Sequence, residues 1–298
     1  MSVAVPTGSP TFARMLLRRQ IDELRAADAD ARAGEPDAIH AVRIAARRLR
    51  STLTSYRKLL PPTEARRLAE ELRWLGSALS PARDAQVMRD RLLAALADTP
   101  DDLVVGPVGA RIRAALDDDA RRGQDAATEA LGSARFSHLL RDLDALAEVS
   151  PAHDAPRQSA ARTVRRALRA DVGLARRAVR AARADVSATE QDAALHEARK
   201  KAKRLHYSAE SAAEVLGRPA DELAEAAHGV QDLLGEHQDS VVARQYLIRF
   251  AEEQRAAGED TFTVGLLHAR EQEAARTDAA TTRAAWRRIA RAARRLER

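Results

Sequence analysis

The sequence predicts an all-α protein, and three observations carry that prediction. The chain is rich in alanine and leucine, both strong helix formers, while aromatic residues make up only 3% of it. Glycine and proline are few and fall where helices should stop. Apolar residues recur at helical spacing, as in the stripe Val42, Ala46, Leu49, Leu53 and Tyr56. The 298 residues suffice for one large or two medium domains with a real core.

The elements follow from these rules. A helical pattern covers residues 11–33. A second helix follows Pro36 and runs to Leu60, where Pro61 and Pro62 stop it. A third runs from Thr63 to Leu79 and restarts after Pro81, and further helices cover residues 102–122 and 134–147. The stretch VSPAHDAP, residues 149–156, reads as a linker. Beyond it come helices over 157–186 and from Thr189, where Asp192 three positions on suggests a capping box. That helix ends near Gly217-Arg218-Pro219, and helices over 220–234, 238–256, 260–274 and 278–297 complete the chain. Residues 1–10 read as a disordered N-terminus.

Composition narrows the function classes. With no cysteine there are no disulfides, thiolate metal sites or cysteine nucleophiles. No apolar run reaches membrane-spanning length and the N-terminus lacks a signal peptide's apolar stretch, so a cytoplasmic protein is expected. The net charge of +6 is modest, which makes the distribution of charge more telling than its sum. Only four lysines occur, and Lys200, Lys201 and Lys203 fall together.

The distribution centres on a stretch that occurs twice. IHAVRIAARRLR, residues 39–50, aligns with LHEARKKAKRLH, residues 195–206, at an offset of 156. His40 meets His196, Arg43 meets Arg199, Arg47 meets Lys203, Arg48 meets Arg204 and Arg50 meets His206. A second match pairs LGSALSPARDAQV (75–87) with VQDLLGEHQDSVV (230–242), and Asp84 with Asp239. Two matches in order, at an almost constant offset, point to a duplicated unit of about 150 residues. Short connections between long amphipathic helices imply antiparallel bundles, over 11–148 and 157–298.

At 100° per residue, His40, Arg43, Arg47 and Arg50 share an arc of roughly 80° beside the apolar stripe. His196, Arg199, Lys203 and His206 form the matching arc, with Lys200 beside it. A charge run on a helix is ordinarily a solvated face, but such faces carry both signs. Here no acid occurs between Ala38 and Thr63, and Glu197 alone interrupts the second copy. Like charges four residues apart, such as Arg43 with Arg47, cost a few tenths of a kcal/mol each. A doubled unfavourable pattern points to an anionic partner, for which phosphate is the natural candidate. Each histidine reads as an anion contact, since no nucleophile or acidic orienter accompanies it. Asp84 and Asp239 fit either a helix-terminus carboxylate or an orienter of a basic-helix arginine.

The pattern H-x-x-R-x-x-x-R-R-L-R, repeated in degenerate form and followed each time by a break ending in Asp, resembles the CHAD (conserved histidine alpha-helical domain) family from about Thr11 onward. The resemblance implies two four-helix bundles related by a pseudo-two-fold axis, with basic residues of both halves lining a groove. It also implies binding of inorganic polyphosphate and association with polyphosphate granules. Carried over, the binding positions are His40, Arg43, Arg47, Arg48, Arg50, His196, Arg199, Lys203 and Arg204. His206 departs from the more usual arginine, and Lys200 and Lys201 stand where small or apolar residues are common. Arg14 and Arg18, with Arg162, Arg165, Arg166 and Arg169 on the counterpart helix, are secondary candidates that would widen the groove.

The nucleotide-binding, zinc-protease and hydrolase signatures are absent, as is the E-x-E-x-K pattern of the tunnel hydrolases to which some CHAD domains are fused. A stand-alone binding module is therefore expected, with no catalysis, cofactor or metal. His228 and His237 are too isolated to suggest a metal site. Non-specific nucleic-acid binding is the alternative, weakened by the lack of aromatic stacking platforms. The basic last helix reads as a solvated face around the anchors Trp286 and Ile289.

Overall fold

The structure is a computed structural model that describes residues 9–35, 37–148, 159–182, 187–275 and 279–296. The linker 149–156 and most of the N-terminal stretch 1–10 lie outside the described residues; Ser9 and Pro10 already belong to the first helix. The described residues form eleven α-helices and no strand. They are α1 (Ser9–Ala33), α2 (Ala38–Ser55), α3 (Pro62–Ala78), α4 (Pro81–Ala97), α5 (Val108–Gly132) and α6 (Ala134–Glu148). After the linker come α7 (Ala160–Ala181), α8 (Ala188–Leu216), α9 (Arg218–Ala256), α10 (Phe262–Ala274) and α11 (Ala279–Arg295). No helix among the described residues is long and apolar enough to cross a membrane.

Three apolar cores hold these helices. One joins α1, α2, α3 and α6 around Leu24, Leu49, Leu72 and Phe136. Another joins α7, α8, the first half of α9 and α11 around Leu168, Leu205, Leu223 and Ile289. The first turns of α1 cross into this second core: Phe12 packs edge-on against Tyr56 at 5.8 Å. The third core was not foreseen. There α4 and α5 pack on the second half of α9 and on α10, through Met88, Leu92, Ile112, Leu247 and Phe250.

Four boundaries differ from expectation, each for a local reason. The second helix ends at Ser55, and a single tighter turn, Arg57–Leu59, carries the chain to the prolines. Residues 101–103 likewise form one 3₁₀ turn, and α5 begins only after Pro107, continuing to Gly132. The box capping α8 is Ser187 with Glu190, two residues earlier than Thr189 with Asp192. Its Ser187 hydroxyl accepts from the Glu190 amide while the Glu190 carboxylate accepts from the Ser187 amide. Most consequential, residues 218–256 form one unbroken helix, because nothing after Leu234 removes a backbone donor as Pro81 does between α3 and α4. At about 1.5 Å per residue, α9 is roughly 58 Å long and spans the second and third cores.

Gly123 fixes how α5 lies on α4. A Cβ there would stand 2.3 Å from the amide nitrogen of Ala82, so only glycine permits the approach.

The seam between the first and second cores includes a buried polar network. Asp171 on α7, 1% exposed, accepts from the hydroxyls of Ser55 (2.7 Å) and Ser208 (2.9 Å) and pairs with Arg204 at 2.6 Å. Removing one partner of a buried ion pair strands the other, at a cost of about 3 kcal/mol. Asp171→Ala should therefore lose about that much stability in urea unfolding; a loss below about 0.5 kcal/mol would show the network to be idle.

Candidate polyanion-binding site

The apolar stripe of α2 is buried as the periodicity demands, with Val42, Ala46, Leu49, Leu53 and Tyr56 each at most 1% exposed. Burying it turns the flanking basic arc towards α8, which crosses α2. At the crossing the Ser51 hydroxyl donates to the Arg204 carbonyl (3.3 Å) and the Tyr56 hydroxyl to that of Ser208 (3.2 Å). The arcs of the two helices thereby meet.

Lys203 stands at the meeting point. Burial pushes its pKa down to about 7, and the charges of Arg47, Arg199, Arg43 and Arg50 push in the same direction. Arg43 and Arg50 are themselves held below the usual arginine value, in each case by burial first. His40 is lowered by burial and by Arg43, Arg83 and Arg47, with Asp37 opposing. Among the described residues Arg47, Arg50, Arg199 and Lys203 have no ion-pair partner. The Nη1 of Arg43 and the Nε of Arg199 are buried without a hydrogen-bond partner.

Two clefts open onto this cluster. One of about 190 Å³ lies between α2 and α3, lined by Arg43, Arg47, Arg50, Arg73, Ser77 and Ser80 among others. The other, of about 100 Å³, lies between α2 and α8, lined by Arg47, Arg50, Thr54, Lys200, Lys203 and Arg204 among others. Arg47 and Arg50 line both.

The two aspartates differ. Asp84, in the first turn of α4, is exposed, and its Oδ1 lies 3.4 Å from Arg43 Nη2. Asp239 lies in the middle of α9, so its reading as a helix-terminus carboxylate is corrected: no helix restarts there. Burial raises its pKa, which Arg199 and Arg91 oppose.

A match to the family model described as "CHAD domain" covers residues 15–248. The chain belongs to the CHAD family. An uncharacterized protein of Mycobacterium tuberculosis, found in strains CDC 1551 and H37Rv, is 37% identical over 279 residues, 92% of this chain. The chain spans about half the length of these curated relatives, 52% of each. Among solved structures, a CHAD domain from the plant Ricinus communis has a TM-score of 0.75 and 25% identity, covering 96% of this chain and 94% of that one. PptA from Streptomyces chartreusis has a TM-score of 0.76 and 23% identity, covering 94% of this chain and all of that one, and is similar in fold.

Within this CHAD fold not every basic candidate faces the cluster. Arg48 turns away to Glu210 (2.7 Å). Arg204 lines the α2–α8 cleft, but its guanidinium is held by Asp171. His206 faces α9, bonding the Ala224 carbonyl at 3.1 Å and stacking on His228. Its place on the arc reflected only its own helix and not the neighbour above it. His196 bonds Gln238 at 2.5 Å, and Lys200 pairs with Glu197 at 2.8 Å.

Of the secondary candidates, Arg18 pairs with Glu148 on α6, Arg14 is half-buried on α1, and Arg162, Arg165 and Arg169 are exposed on α7. Arg166 lines a separate pocket. Arg73, Ser77 and Ser80 were missed; Arg73 and Ser77 stand four apart on one face of α3, a spacing that marks them, while Ser80 precedes α4 at its N-cap. His237 is buried between the Ala275 carbonyl (2.7 Å) and Asp192 (2.8 Å), and Asp192 also takes Arg244 (3.1 Å). That contact ties α8 to α9 and explains both the histidine and the aspartate. Among the described residues no group of three His, Asp or Glu gathers as a metal-binding set.

Proposed function

We propose that this CHAD protein binds inorganic polyphosphate non-catalytically across α2 and α8, and that it associates with polyphosphate granules. One observation carries the reading. Five cations from two helices, Arg43, Arg47, Arg50, Arg199 and Lys203, crowd together with Asp84 as the nearest paired acid, itself exposed at 3.4 Å. A fold holds such a cluster at a cost unless an anion neutralises it. A chain of phosphates supplies many closely spaced charges, and arginine forks grip its oxygens in pairs.

The two arcs are read as copies of one duplicated unit, each contributing a basic helix (α2, α8) and an aspartate (Asp84, Asp239). Two four-helix bundles about a pseudo-two-fold axis would present both copies to one ligand. The offset of 155–156 residues between the paired motifs supports this.

Single-stranded nucleic acid is the weaker alternative. Its binders add exposed stacking aromatics, whereas Tyr56 and Tyr207, the tyrosines of the motif helices, are both buried. Titration with long-chain polyphosphate and with DNA, at equal phosphate concentration and several salt levels, separates the readings. Polyphosphate should bind more tightly, and its log affinity should fall with log salt at a slope of about −3.5, for five contacts at about 0.7 each. Equal or tighter DNA binding would overturn the assignment.

A further inference from the structure

A larger pocket lies beyond the cluster. It has a volume of about 330 Å³ and is bounded by the turn Arg57–Leu59, α7 and α8. Five cations line it: Arg57, Lys58, Arg166, Lys201 and Arg204. Among the described residues Arg57, Lys58 and Arg166 have no acidic partner. Lys201 has only Glu197 at 3.7 Å. The one carboxylate in the lining, Asp171, is buried, pairs with Arg204 and accepts from Ser55 and Ser208.

This pocket is continuous with the cluster. Thr54 and Arg204 line both it and the 100 Å³ cleft, while Arg47 and Arg50 join that cleft to the 190 Å³ one. Basic residues therefore follow α2 from Arg43 towards its end at Ser55 and continue on the turn Arg57–Leu59. The walls change along the way. Near Lys203 they are close and charged from both sides, whereas around Arg57 and Lys58 the pocket is wider and floored by Tyr56, Leu59, Ala167 and Leu174.

We propose that the pocket at Arg57, Lys58, Arg166 and Lys201 is a second subsite, which takes the continuation of a polyphosphate chain whose first segment occupies the cluster. This rests on the proposed function. It adds a length preference: a short oligophosphate fills the cluster alone, and a long chain fills both sites around Thr54. Loose, solvated cations at the second subsite add affinity through counterion release and little through geometry.

The test compares tripolyphosphate with chains of about one hundred phosphates, using wild type and Arg57→Gln/Lys58→Gln. Both residues are exposed, so an unchanged melting temperature controls for folding. Long polymers gain affinity from multiple registers alone, so the readout is the difference between proteins at each length. The double variant should bind long chains roughly ten- to a hundredfold more weakly, with the magnitude of the salt slope reduced by about 1.4. Its affinity for tripolyphosphate should stay within about twofold of wild type. Equal losses at both lengths, or none at either, would overturn the second subsite. Failure of the polyphosphate reading would look different: neither length would bind wild type more tightly than DNA.

Discussion

Reversing Arg43 and Arg199 together to glutamate should abolish polyphosphate binding while leaving the fold intact. The two residues are equivalent positions of the doubled motif, and each carries a buried donor atom with no partner inside the protein. Each charge-assisted contact to a phosphate is worth about 1.5–3 kcal/mol, so losing two costs about 3–6 kcal/mol, or roughly a hundred- to ten-thousandfold in affinity. Repulsion by the new carboxylates adds to that. Stability should hold because the substitutions place acids beside Arg47, Arg50 and Lys203, which crowd one another in the wild type. The exposed Asp84 beside position 43, and the partly buried Asp239 that loses the compensating charge of Arg199, are the opposing costs. Circular dichroism and thermal melts beside the binding titration decide the matter. A double variant that unfolds would make the arc structural, and one that binds like wild type would move the site elsewhere.

What the sequence disclosed, and what it hid, divides along physical lines. Local signals were readable. The stripe from Val42 to Tyr56 is buried, and Pro81 breaks the chain between α3 and α4. The basic arcs were readable because they depend only on helical periodicity, and Arg43, Arg47, Arg50, Arg199 and Lys203 do converge. Pairings between distant elements were not. Nothing in the sequences of α4 and α5 says that Met88 and Ile112 will meet Leu247 and Phe250 from α9. The pattern reads as separate helices over 220–234 and 238–256, yet Gly235 between them keeps its backbone donor and α9 passes through it. His206 and Arg204 lay on or near the arc, but which partner faces each was set by α9 and by Asp171. The second pocket stayed hidden for the same reason: Arg57 and Lys58 acquire company only when α7 and α8 close over the end of α2.

Polyphosphate affinity should fall as pH rises above about 7, and Lys203 sets that dependence. In the free protein its pKa is depressed to about 7 from 10.5, first by burial and then by the four arginines. Between those values the unfolded chain holds a proton that the folded one lacks. Stability therefore increases with pH across that window, and is lost as the pH drops towards 7 and the ammonium forms inside the fold. A bound polyanion acts in the opposite sense: it compensates the arginines and draws the lysine pKa back up. Binding above pH 7 must then take up a proton, and affinity should weaken by up to about tenfold per pH unit until the pKa of the complex is reached. Burial and Arg43 lower the pKa of His40, so a bound polyanion draws it up and favours proton uptake in the same direction. Calorimetry at pH 8, in buffers of differing ionisation enthalpy, should show uptake approaching one proton per site. In Lys203→Met that uptake should vanish, the affinity should become flat from pH 7 to 9, and the unliganded protein should melt at a higher temperature. Loss of a cation that an anionic ligand needs would thus appear as a gain in stability and a loss of binding in the same variant. Affinity that is constant from pH 6 to 9 in the wild type, without proton uptake, would show that Lys203 is charged before the ligand arrives.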